Sequence, residues 1–123
     1  MENVRFAIYD SDPGHAEMVQ ATARVIGHDV IVLAHDEAQL YEAIVRAREN
    51  EGEIDIFLCN SNSTTEKDAR RMRALGLLVV RYGQEEVTSS LPLMPPSRSI
   101  LEMFAEISDH HEVRPRILKK QQK

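Results

Sequence analysis

One feature constrains this chain more than any other. Short, continuous apolar runs recur along it, each separated from the next by a polar or amphipathic stretch. The runs are residues 4–9 (Val-Arg-Phe-Ala-Ile-Tyr), 30–34 (Val-Ile-Val-Leu-Ala), 54–59 (Ile-Asp-Ile-Phe-Leu-Cys), 77–80 (Leu-Leu-Val-Val) and 91–94 (Leu-Pro-Leu-Met). They are short and bounded by polar or turn residues, which reads as strand rather than helix. Most do not alternate apolar with polar, so they predict strands covered on both faces. That is the mark of a parallel sheet with helices on each side.

The intervening segments carry helix signals. Asp12 is a suitable N-cap and Pro13 a suitable first helical residue. Met18, Val19, Thr22, Val25 and Ile26 follow at helical spacing, and Gly27 is a stop. Asp36 caps a second helix whose buried stripe is read as Leu40, Tyr41, Ile44 and Val45. Ser63 to Glu66 matches a capping box for a third helix, running to about Leu75 with Gly76 beyond. Ser97 caps a last helix in which Ile100, Met103, Phe104 and Ile107 share one face. Residues 82–90 carry no convincing helix. Only 11 residues separate Tyr82 from Met94, close to the minimum for a helical crossover.

Composition narrows the function classes. At 123 residues and 42% apolar content the chain predicts one domain, over residues 1–108, with a tail at 109–123. No apolar run approaches the length a membrane-spanning helix needs, so no membrane role is expected. The first residues lack a signal-peptide pattern, and the single Cys59 excludes an internal disulfide framework; both fit a cytoplasmic protein. Residues 1–108 hold 10 basic and 18 acidic side chains, a balance of −8, whereas residues 109–123 hold 5 and 2, a balance of +3. The body should repel nucleic acid, and the tail is read as a solvated linker.

In a parallel α/β sheet, function gathers where the strands end. Those ends here are Asp10-Ser11-Asp12, then Cys59-Asn60, then Arg81-Tyr82, then Met94-Pro95. With Tyr9 to Pro13 after the first strand, Asp55 to Asn60 for the third, and Met94-Pro95-Pro96-Ser97 before the last helix, residues 4–108 resemble the receiver domains of bacterial response regulators. The resemblance implies a flavodoxin-like, three-layer, doubly wound sheet of five parallel strands in the order 2-1-3-4-5, its fourth helix reduced or absent. A working receiver would pair two acids after the first strand to hold Mg²⁺ and would end its third strand in a phosphate-accepting aspartate. A Ser or Thr would end the fourth strand, and a lysine would precede the proline after the fifth.

This chain departs from that pattern at nearly every position. Asp10 keeps the first acid, but Ser11 takes the second place. Asn60 takes the acceptor's, Tyr82 the hydroxyl's and Met94 the lysine's. An amide lacks the anionic oxygen a phosphoryl acceptor needs. No aspartate lies between Ile56 and Lys67, and Asp55 begins the strand roughly 16 Å away at about 3.3 Å per residue. The resemblance thus implies a degenerate site made of Asp10, Ser11, Asp12, Asn60, Tyr82 and Met94, without catalysis and without a cofactor. It implies a two-component signalling module that works by contact with a protein partner, an attached output domain or a second copy.

Other readings compete. Asp10 and Asp12 are weak candidates for a divalent cation. Their Asp-x-Asp spacing is also similar to haloacid-dehalogenase-type phosphatases, where Asp10 would be the nucleophile and Asp12 the general acid of an Mg²⁺-dependent phosphotransfer. A small ligand in the vacated pocket is a third reading. Asp109-His110-His111 is similar to a phosphoesterase motif but follows a helix. Arg70, Arg71 and Arg73 read as a solvated helix face, and Cys59 as a core residue.

Overall fold

A computed structural model describes residues 4–60, 64–82, 100–109 and 113–121. Its elements, in chain order, are β1 (Arg5–Tyr9), α1 (Pro13–Val25), β2 (Asp29–Ala34), α2 (Glu37–Glu51), β3 (Ile56–Asn60), α3 (Glu66–Ala74), β4 (Leu78–Tyr82), α4 (Ile100–Asp109) and α5 (Arg114–Gln121). Four strands form one sheet in the order β2-β1-β3-β4, every neighbouring pair parallel. The fifth strand expected at Leu91–Met94, the short crossover before it and the Ser97 cap lie outside the described residues, as do Met94 itself and the His110-His111 pair.

The pleat of the strands divides the core between two layers. Phe6, Ile8, Ile56, Leu58, Leu78, Val80 and Tyr82 face α1 and α4, packing with Val19, Ala23, Phe104 and Ile107. Ala7, Tyr9, Val32, Phe57, Cys59 and Val79 face α2 and α3, packing with Leu40, Ile44, Ala69 and Met72. Both faces of the sheet are covered, which is why the runs are continuously apolar. Each fully buried large side chain contributes about 2–3 kcal/mol of transfer free energy. Phe6 and Phe104 meet edge to face at 5.7 Å between centroids, with the His28 ring 5.0 Å from Phe6.

Local signals explain most boundaries. Asp12 caps α1 through its carboxylate, which accepts from the Gly14 and His15 amides, and Asp36 caps α2 in the same way. Gly27 and Gly76 follow α1 and α3 at φ near +95° and +92°, where a side chain would be strained.

Several expectations are corrected. α1 does not bury Met18 and Val25, which are 60% and 84% exposed; its inward stripe is Ala16, Val19 and Ala23. Small residues set that face because the helix lies close to the sheet, and the bulkier side chains point to water. Tyr41 is likewise outside the α2 stripe, stacked under the Arg71 guanidinium at 4.7 Å, and Ala47 takes the inward place. The cap of α3 is Thr65, its hydroxyl accepting from the Asp68 amide at 3.1 Å, two residues later than the Ser63 capping box predicts. Within 109–123 the chain is not a plain solvated tail. Residues 114–121 form a helix, Val113 is fully buried, and Ile117 packs against the same core.

Candidate functional site

At the carboxyl end of the sheet the pleat decides which side chains can meet. β1 ends before Asp10, and the Asp10 amide still donates to the Ala34 carbonyl at 3.1 Å, so the ladder holds this residue in place. Asn60 and Tyr82 are direct neighbours across β3 and β4. Asp10, Asn60 and Tyr82 have the same parity and face α1, whereas Tyr9, Cys59 and Arg81 face the opposite layer.

Asp10 is the centre of the site and is only 1% exposed. Its Oδ2 accepts from the Tyr82 hydroxyl at 2.7 Å, from His15 Nδ1 at 2.5 Å and from Asn60 Nδ2 at 3.3 Å. Oδ1 accepts from the Asp12 amide at 3.0 Å. Since a carboxylate only accepts, Nδ1 of His15 is the donor in that bond. Burial pushes the Asp10 carboxyl up, but the hydrogen bonds from Tyr82, Asp12, His15 and Asn60 outweigh it and hold it below the usual carboxylate range. The Tyr82 phenol is driven well above its ordinary value by burial and by its bond to the Asp10 anion. The network is therefore a buried carboxylate held by four converging donors.

The structure brings together three of the six predicted site residues: Asp10, Asn60 and Tyr82. Ser11 is exposed. Asp12 spends Oδ1 on the Gly14 and His15 amides, at 3.0 and 3.3 Å, as the α1 cap. Met94 lies outside the described residues. Among the described residues no three His, Cys, Asp or Glu side chains gather in a metal-ligating group.

The residue missing from the predicted set is His15. A signal for it exists in the sequence. Pro13 at the first helical position puts residue 15 in the first turn of α1, and side chains there lean back toward the helix start. An imidazole at that point reaches the end of the preceding strand. It stays partly exposed, at 38% of the side chain, with its ring 5.6 Å from that of Tyr82.

The other face holds a separate group. Cys59 is fully buried, its Sγ 3.7 Å from the Val80 carbonyl, and burial pushes its thiol up to about 12 despite a hydrogen bond with Thr64 and the nearby Arg81 charge. Burial of this kind fits a core thiol rather than a thiolate nucleophile. Arg81 is 3% exposed, and its Nη1 lies 3.8 Å from Glu66. No helix among the described residues is long and apolar enough to cross a membrane. A scan against models of known protein families finds none that matches this chain, and a search of curated proteins returns no match either.

Proposed function

We propose that this chain is a receiver-like signalling module that does not take phosphate and acts by contact with other proteins. One observation carries the reading: the acid that would anchor Mg²⁺ is already saturated. Both Asp10 oxygens accept hydrogen bonds, three of them on Oδ2 alone. A cation would have to displace the Tyr82 hydroxyl, leaving that buried group without its acceptor at about 1–3 kcal/mol, and would break the Asn60 contact as well. The amide in the acceptor's place is itself one of the donors. Asn60 thus does what a bound cation would do, stabilising the Asp10 anion, and the site rests in one electrostatic state.

The same arrangement argues against phosphotransfer through Asp10 and Asp12. The first carboxylate is buried and saturated, and the second caps a helix. On this reading residues 91–94 add a fifth strand beside β4, giving the flavodoxin-like order 2-1-3-4-5, and the output surface is protein rather than nucleic acid. The partner is an attached output domain, a separate protein or a second copy.

The test is incubation with acetyl phosphate and Mg²⁺, followed by intact-mass measurement under acidic conditions. The expected result is an unchanged mass. A phosphoryl adduct that hydroxylamine removes would mark an acyl phosphate and sink the proposal.

A further inference from the structure

Six of the nine residues of α3 are charged, and the fold sorts them by sign. Its two acids are withdrawn. Asp68 is buried, and the Glu66 carboxylate lies 3.8 Å from the buried Arg81 guanidinium. Its four cations, Lys67, Arg70, Arg71 and Arg73, are all exposed. Among the described residues none of the four makes an ion pair, although the chain holds 20 acids to 15 Lys and Arg. Lys67, Arg70, Arg71 and Ala74 stand at i, i+3, i+4 and i+7, opposite the inward Asp68, Ala69 and Met72, and so form one outer stripe.

Such a stripe works against the helix that carries it. Lys67 precedes Arg70 and Arg71, and Arg70 precedes Arg73, at the spacings where like charges repel. A face selected only for solubility would interleave acids, as Glu42 does with Arg46 on α2 at 2.7 Å. Arg71 is also held in place. Its guanidinium lies 4.7 Å from the centre of the Tyr41 ring, and Tyr41 is itself 39% exposed. Arginine and tyrosine are the side chains that most often anchor protein interfaces, and the guanidinium fork grips a carboxylate with two parallel bonds. Other anionic surfaces fit less well. No large apolar side chain of α3 is exposed to enter a lipid surface, and the −8 balance of residues 1–108 opposes a long nucleic acid.

We propose that the outer face of α3, with Tyr41 beside it, docks an acidic helical segment of another protein. Carboxylates of that segment, repeating at the same helical period, pair with Lys67, Arg70 and Arg71, and the small Ala74 lets the two helices lie close. Docking relieves the repulsion that the free helix carries. It belongs to the contact reading above, yet α3 and the Asp10 network lie on opposite faces of the sheet and share no residue, so either can fail alone.

The probe is a labelled alanine-based peptide of about 20 residues with glutamates at i, i+3, i+4 and i+7, titrated with the full chain at low salt and followed by fluorescence anisotropy. It should bind, and the same peptide with glutamines should not. Arg70→Glu together with Arg71→Glu should weaken binding about tenfold or more. Tyr41→Leu keeps every charge and should weaken it about threefold. Arg70→Gln should weaken binding while raising the melting temperature by about 2 °C, because a repulsive pair is lost. Arg46→Gln removes the same charge from a residue already paired with Glu42 and should leave binding unchanged. A glutamate peptide that does not bind overturns the proposal. So does binding that Arg46→Gln weakens as much as Arg70→Gln, since that is attraction to net charge alone. Tighter binding of a DNA duplex of about 20 base pairs, or self-association that the paired Arg70→Glu and Arg71→Glu changes abolish, would overturn it in favour of those occupants.

Discussion

Asp10 is a charge kept inside the protein by four converging donors, and that makes its neighbours sensitive to small changes. Tyr82→Phe removes one hydroxyl and nothing else. It should cost about 2 kcal/mol in urea denaturation, the usual size for a hydrogen bond to a buried charge. Because the folded Asp10 carboxyl lies below its unfolded value, its stabilising contribution is complete above about pH 4 and is lost as pH falls through the folded value. In Tyr82→Phe the folded value moves up, toward or past the unfolded one, so this acid-dependent loss should shrink. Asn60→Asp tests the site in the other direction. It replaces a donor 3.3 Å from Asp10 Oδ2 with a second anion. Stability at pH 7 should fall by about 2 kcal/mol, and the gap to wild type should narrow as acid protonates one carboxyl of the pair. His28 gives an independent titration. Burial, partly opposed by the charge of Asp29, holds its imidazole below 6.5. The unfolded chain therefore takes up this proton first, and stability falls as pH drops below 6.5. His28→Phe keeps a ring beside Phe6 and Phe104 and should flatten that part of a pH–stability curve.

The elements show where sequence reasoning held and where it failed. The positions of the four described strands were legible because a strand covered on both faces has nowhere to put polar residues. Cap positions were legible where one acid stood before a helix, as at Asp12 and Asp36. The inward stripe of α1 was not, because apolar period was read from the bulkiest side chains while Ala16 and Ala23 set the contact. The cap of α3 was missed because Ser63 and Thr65 offer the same chemistry two residues apart, and only the backbone chooses between them. α5 was missed for another reason: a short, charged segment has no helix signal of its own and is ordered by where Val113 and Ile117 land. Val113 is fully buried in the layer holding Phe104. Val113→Ala should therefore cost about 2 kcal/mol and lower the melting temperature by several degrees, an effect no solvated linker residue would have.

For the molecule as a whole, the class of fold was readable from the order of runs and caps. The convergence of Asp10, Asn60 and Tyr82 was readable too, since it needs only the strand ends and their parity. Not readable was what those residues do to one another: that three side chains would share a single oxygen of Asp10. Such contacts depend on how far α1 leans over the sheet, which no single segment encodes. The fold also carries a consequence in time. β1, which leaves the ribosome before the other three described strands, ends up inside the sheet, between β2 and β3. Its second partner is the segment Ile56–Cys59. A nascent chain shorter than that can offer β1 only half its ladder, so the sheet's interior stays open to chaperones until β3 has cleared the exit tunnel.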